Sequence, residues 1–185
     1  MEDLSLHILD IAENSIAANA DTIEITISED ERKDSLSIEI KDNGMGMDEK
    51  KVKKALDPFY TTKTTRRFGL GLPLLSESAK AASGNLTIKS RPGEGTQIKA
   101  DFQYSHIDRK PLGDMSQTIL TLVMGNPEID FVYTHNKNSQ TYCLDTRKIK
   151  SQLNGRPLSS PEGIRILRED LKNIKMKLTG GKHEG

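Results

Sequence analysis

The sequence predicts a mixed α/β fold in which helices alternate with antiparallel hairpins, and three observations predict it. Apolar residues recur at helical spacing near the N-terminus (Leu4, Ile8, Ile11, Ala12, Ile16). Two following runs alternate apolar with polar residues, first Ile23, Ile25 and Ile27, then Leu36, Ile38 and Ile40. Glycine-containing turns break the period between such runs.

In chain order, residues 4 to 18 form an amphipathic helix with one face toward the core. His7, Asp10 and Asn14 fall together on a second face, away from the centre of the apolar stripe. An acid and an amide one turn apart suit Mg²⁺ coordination and water positioning, although a solvated helix face explains them as well. Strands cover residues 22 to 28 and 35 to 41, joined by an exposed charged loop from Glu29 to Asp34. Asp48 is the candidate N-cap of a short helix to Leu56. A helix spans 72 to 82 and ends at Ser83-Gly84-Asn85, and strands at 86 to 90 and 96 to 102 flank a tight Pro-Gly turn. Residues 4 to 102 thus read α–β–β–α–α–β–β.

The 185 residues suffice for one well-buried domain with an appendage. Lys and Arg number 27, as do Asp and Glu, so the formal charge is zero and nothing calls for nucleic acid or an anionic membrane as partner. The N-terminus lacks a signal-peptide pattern and no apolar run approaches a bilayer span, so a cytoplasmic protein is expected. The one cysteine, Cys143, cannot form an internal disulfide or a Cys-rich metal site, and a buried small hydrophobe is its expected role.

Two stretches carry the chemistry. Asp42-Asn43-Gly44-Met45-Gly46 follows the second strand, placing a carboxylate at its mouth that accepts hydrogen bonds and donates none, as an exocyclic amine of a nucleobase requires. Glycines there allow close backbone approach to a flat ligand, though the pentapeptide alone also fits an ordinary turn. Farther on, Asp57 to Phe68 supplies hydroxyls and the cations Lys63, Arg66 and Arg67, and Gly69-Leu70-Gly71-Leu72 opens a helix. A glycine-rich turn entering a helix presents unpaired N–H groups, and with neighbouring cations it forms a polyphosphate cradle.

These motifs, in this order, resemble the GHKL (histidine kinase-like) ATPase superfamily. Asp10 to Ala18 resembles its N box, Asp42 to Gly46 its first glycine box and Gly69 to Leu72 its second. The runs Asp57 to Lys63 and Arg91 to Thr96 are similar to conserved runs of sensor histidine kinases. The resemblance covers about residues 4 to 103. It implies the Bergerat fold, a two-layer α/β sandwich on a mixed, mostly antiparallel sheet, binding ATP with Mg²⁺. On that resemblance Asn14 ligates Mg²⁺, Asp42 bonds the adenine amino group, Gly44, Met45 and Gly46 pass beside the base, and Thr96 supports the adenine site. Lys63, Gly69, Leu70, Gly71 and Leu72 belong to the lid and phosphate region.

Two features depart from the family pattern. Asp10 stands where hydrolysing members carry Glu and many histidine kinases Asn, so the catalytic carboxylate, the candidate orienter of water or a hydroxyl, is one methylene short. Glu13 lies about 100° round the helix from Asn14 and points elsewhere. No helix pair with a phosphoacceptor histidine precedes the motifs, and His7 is assigned a structural role.

Beyond Tyr104 the resemblance fades into a helix at 116 to 124, strands at 129 to 133 and 140 to 144 joined across Asn136-Lys137-Asn138, and a helix opened by Pro161. That last helix carries the stripe Ile164, Leu167, Leu171, Ile174 and Leu178, core or interface, with Ser159 or Ser160 as cap. The expected organisation is an ATP-binding domain at 1–104, a small C-terminal α/β extension at 105–178 that either continues the sheet or forms a docking subdomain, and a disordered tail at 179–185. The function expected is ATP·Mg²⁺ binding with slow hydrolysis or phosphoryl transfer to a protein partner; the alternative is a non-catalytic ATP-sensing module.

Overall fold

The computed structural model describes residues 3–57 and 70–179. Six strands form one sheet: β1 (Thr22–Asp30), β2 (Ser35–Asp42), β3 (Asn85–Arg91), β4 (Gly95–Gln103), β5 (Asp130–Lys137) and β6 (Gln140–Asp145). Their order is β3-β4-β2-β1-β5-β6, antiparallel throughout except for the parallel β1–β5 pair. Six helices accompany them: α1 (Leu4–Ala17), α2 (Glu49–Lys54), α3 (Gly71–Ala81), α4 (Met115–Gly125), α5 (Thr146–Gln152) and α6 (Pro161–Thr179). Helices α1, α3, α4 and α6 touch one another or the sheet and make the second layer of the expected sandwich.

Strand alternation decides what lies between the layers. Ile23, Ile25 and Ile27 of β1 and Leu36, Ile38 and Ile40 of β2 are all within 1% of full burial, beside Ile98, Ala100 and Phe102 of β4. Each of the Ile, Leu and Phe side chains contributes about 1.5–3 kcal/mol when buried. The opposite-facing Glu24, Lys41 and Lys89 are exposed. The residues after 104 take the first course left open by the sequence: β5 and β6 continue the sheet through β1, and Ile119, Phe131, Tyr133 and Leu167 belong to the same hydrophobic cluster as α1. On α6, Leu167, Leu171 and Ile174 are core, and Ser160 is the cap, its Oγ accepting from Gly163 N at 3.2 Å.

Several expectations need correction. Glu29 and Asp30 belong to β1 and not to a loop, because Glu29 pairs in the ladder and its Oε1 lies 2.7 Å from His135 Nε2. Strand β5 continues to Lys137, held by parallel pairing with β1, so the β5–β6 turn narrows to Asn138, at φ 53°, and Ser139. Cys143 is exposed, since its neighbours Tyr142 and Leu144 take the inward positions of β6. Helix α5 was not foreseen; Asp145 caps it, accepting from Arg147 N at 3.0 Å. Of the expected tail, Thr179 closes α6 and the remainder lies outside the described residues.

Candidate nucleotide-binding site

The inward positions of β2 run Leu36, Ile38, Ile40 and then Asp42, so the apolar series ends in a carboxylate that is only 7% exposed. Burying an ionised carboxylate is costly unless donors replace its water. Three do so: Ser15 Oγ donates to Oδ2 at 2.7 Å, and Gly44 N and Thr96 N donate to Oδ1 at 2.9 and 3.2 Å. A carboxylate offers about four lone pairs, so one, on Oδ2, remains for an incoming donor.

Register brings the rest of the wall. Asp42 is paired with Thr96 and Thr96 with Ser90, forming one cross-strand row at the end of the sheet. Ser90 Oγ accepts from Met47 N at 2.8 Å, donates to Gly95 O at 2.9 Å and lies 2.9 Å from Thr96 Oγ1. Asp42, Ser90 and Thr96 open on a cleft of about 550 Å³, with Val52 of α2 and Ile88 of β3 as apolar lining. The charged Lys41, Glu49, Lys53, Lys89, Arg91 and Glu94 complete most of the lining.

The remaining residues of the Asp42–Gly46 turn hold its shape. Asn43 Oδ1 accepts from both Asp21 N and Thr22 N at 2.9 Å, clamping the start of β1 to the end of β2. A Cβ on Gly44 would sit 2.7 Å from Ala18 O, and Met45 N donates to that same oxygen at 2.8 Å. Gly46 has φ +68°, and a Cβ there would collide with the Arg91 carbonyl. The Met45 side chain is 57% exposed.

Helix α1 brings the second half of the site. Asp10 and Asn14 are half-buried one turn apart. Asp10 packs against the first residue of α3: any Cβ on Gly71 would overlap its carboxylate. The α3 N-terminus has no side-chain cap, and Pro73 contributes no N–H, so the positive end of its dipole faces this carboxylate. His7, on the same second face, is fully buried because α3 packs on α1. Neither ring nitrogen has a hydrogen-bond partner among the described residues, and burial, with Lys110 nearby, lowers its pKa to about 4.

The structure therefore brings together Asp42, Gly44, Gly46 and Thr96 at the sheet end, and Asp10 with Gly71 at α3, with Leu70 exposed and Leu72 packed against the core. Ser15 joins the two halves, being the neighbour of Asn14 and the partner of Asp42. Lys63 and Gly69 lie outside the described residues. Sequence reasoning missed Ser15, Asn43 and Ser90; only Ser90 left a signal, as the next inward position after Leu86 and Ile88.

An α/β sandwich with a buried strand-end carboxylate, two close-packed glycines and a glycine-led helix is the architecture of a nucleotide-binding ATPase domain, and the chain belongs to the Histidine kinase-, DNA gyrase B-, and HSP90-like ATPase family, whose sequence model matches residues 2–106. It is 36% identical over 90 residues to Sensor histidine kinase YxdK of Bacillus subtilis (strain 168), a match covering 46% of this chain and 27% of that protein. It is 40% identical over 89 residues to Sensor protein kinase FleS of Pseudomonas aeruginosa, covering 48% of this chain and 22% of that one. The matches thus span about a quarter of these relatives. In fold it is similar to the N terminal domain of a DNA repair protein, with a TM-score of 0.57 and 18% identity over 82% of this chain and 56% of the other, so the likeness of fold runs past residue 106. ATP binding is implied by family membership. Among the described residues no helix is long and apolar enough to cross a membrane.

Proposed function

We propose that this chain binds ATP together with Mg²⁺ between α1, the N-terminus of α3 and the Asp42 end of the sheet, and turns it over slowly, by hydrolysis or by phosphoryl transfer to a partner protein. The observation that carries the reading is the buried Asp42 carboxylate, held by three donors with one Oδ2 lone pair left over. In this reading Asp42 accepts the adenine amino group, Thr96 borders the same edge, and Gly44, Met45 and Gly46 flank the base. Leu70, Gly71 and Leu72 offer the helix N-terminus to the phosphates, with Lys63 and Gly69 as the lid.

No group of three His, Cys, Asp or Glu side chains able to hold a metal occurs among the described residues. That fits Mg²⁺, which binds through one or two protein oxygens plus the phosphates of its nucleotide, with the half-buried amide of Asn14 as the protein ligand. Bound Mg²⁺ supplies charge neutralisation at the phosphates. Asp10 orients the attacking water or hydroxyl, one turn from Asn14 on the same face. A cytoplasmic, regulatory protein accords with sensor kinases being among its relatives.

A second reading, an ATP-sensing module without turnover, is favoured by one observation: the Asp10 carboxylate is packed against Gly71 at the N-terminus of α3, which fixes its position against that helix. Phosphate-release and radiolabel-transfer assays with purified chain and ATP·Mg²⁺ separate the two. Turnover that Asp10→Asn abolishes supports the first, and nucleotide binding with neither release nor transfer supports the second.

A further inference from the structure

An asparagine followed by glycine loses its side-chain amide more readily than other asparagines, because a residue without Cβ lets its backbone nitrogen swing onto the asparagine Cγ. The sequence holds two such pairs, Asn43-Gly44 and Asn154-Gly155. Ring closure needs three freedoms: the glycine N–H must be released to solvent, the carboxamide must turn, and the peptide between the two residues must rotate. Both asparagines are exposed, so access to water does not separate them. Hydrogen bonding does.

At Asn43 all three freedoms are blocked. Gly44 N donates to the buried Asp42 Oδ1 at 2.9 Å, and a carboxylate beside that nitrogen opposes the second negative charge that its deprotonation would create. Asn43 Oδ1 accepts from Asp21 N and Thr22 N, both at 2.9 Å, which fixes the carboxamide. Met45 N, donating to Ala18 O at 2.8 Å, anchors the chain just beyond.

At Asn154 the same dipeptide is held by far less. Asn154 and Gly155 stand at φ 50° and 83°, and Arg156 N donates to Leu153 O at 3.0 Å, closing a two-residue turn between α5 and α6. Among the described residues neither the Asn154 carboxamide nor Gly155 N–H has a hydrogen-bond partner. Nothing lies within 4 Å of the place a Cβ on Gly155 would take, so the peptide has room to rotate. Opening the turn therefore sacrifices a single exposed hydrogen bond.

We propose that Asn154 is a site of spontaneous deamidation in the folded protein, and that the fold shields the identical dipeptide at Asn43. The Gly155 nitrogen, having lost its proton to water, attacks Asn154 Cγ. The N–Cγ bond forms, the Cγ–Nδ2 bond breaks, and Nδ2 takes a proton from water and leaves as ammonia. Water then adds to one of the two carbonyls of the succinimide and reopens it as aspartate or isoaspartate. Either product puts a carboxylate just past the C-terminus of α5, the end whose dipole disfavours negative charge, and isoaspartate also lengthens the main chain of the turn by one methylene.

The test is incubation of the full chain in neutral buffer at physiological temperature, followed by peptide mapping with mass spectrometry and separation of the aspartate and isoaspartate forms at each site. In the folded protein Asn154 converts at least about tenfold faster than Asn43, because exposing the Asn43 pair forfeits hydrogen bonds each worth about that factor. In denaturant, where both pairs lose their surroundings, the gap closes. Equal conversion of the two sites in the folded protein overturns the inference, as does an intact Asn154 over a period in which the denatured chain converts. A gap that persists unchanged in denaturant assigns the difference to neighbouring sequence and not to the fold, and overturns it as well.

Discussion

Ser15 Oγ donates to Asp42 Oδ2 at 2.7 Å, tying the first helix to the end of the second strand across 27 residues of sequence. Both groups are buried, Ser15 at 4% and Asp42 at 7% exposure, so the bond forms away from competing water. Ser15→Ala leaves one carboxylate oxygen without its protein donor, and stability falls by about 1–3 kcal/mol. Urea unfolding at neutral pH measures that loss, and an unchanged midpoint would mean that water replaces the hydroxyl without cost.

In the proposed reading, Asp10 is where binding and turnover part. It lies against Gly71 and one turn from Asn14, whereas Asp42, Thr96 and Ser90 form the cross-strand row at the sheet end. Asp10→Asn keeps the volume and removes the charge, so ATP affinity stays within about threefold while phosphate release drops by about 100-fold or more. Release at the wild-type rate would take Asp10 out of the mechanism.

At the other end of the sheet, Glu29, His135 and Tyr133 form a buried chain, with bonds of 2.7 and 2.8 Å. Ionised Glu29 only accepts, so His135 Nε2 donates to it, and Nδ1 pairs with the Tyr133 hydroxyl. Burial pushes the Glu29 pKa up, but the hydrogen bond and charge of His135, with Lys137 and Arg109, outweigh it and leave it below the ordinary 4.5. A depressed carboxylate pKa stabilises the fold above its unfolded value, and that contribution disappears as pH falls through the folded value. Stability should therefore drop more steeply below pH 4.5 in the wild type than in Glu29→Gln. Parallel thermal melts of the two proteins through this range check it, and identical slopes would contradict it.

Two glycines with similar backbone angles separate strain from collision. Gly46, φ +68°, has the Arg91 carbonyl where a Cβ would go, while Gly93, φ +78°, has nothing within 4 Å. Gly93→Ala costs only the left-handed backbone, about 1–2 kcal/mol. Gly46→Ala adds a clash with main chain that cannot rotate away, and loses about 3 kcal/mol or more. Equal losses, read from denaturant midpoints, would show that the clash is relieved by movement of the turn.

Most of the sheet and the centre of the site were legible from periodicity, because strand alternation marks the inward side and Asp42 continues it. What escaped has particular causes. Glu29 looked like loop because its partner His135 is distant in sequence, and only the parallel β1–β5 pairing brings them together. Helix α5 is seven residues long with Ile149 as its buried apolar anchor, too little for a periodic signal. The element that buries His7 was not foreseeable, because a helical wheel cannot show that α3 covers α1. Ser15 and Ser90 matter through one hydroxyl each, and composition says nothing about where a hydroxyl's hydrogen goes.

The central claim is that Asp42 receives an adenine amino group, and titrating ATP into wild-type and Asp42→Asn protein tests it most directly. The amide nitrogen can take the Oδ2 position while the Ser15 hydroxyl turns to Ile11 O, already 3.4 Å away, so the fold survives but a donor now faces the incoming donor. The account predicts binding by wild type and a loss of about 100-fold or more in the folded variant. Equal affinity for ATP in the two proteins would contradict it.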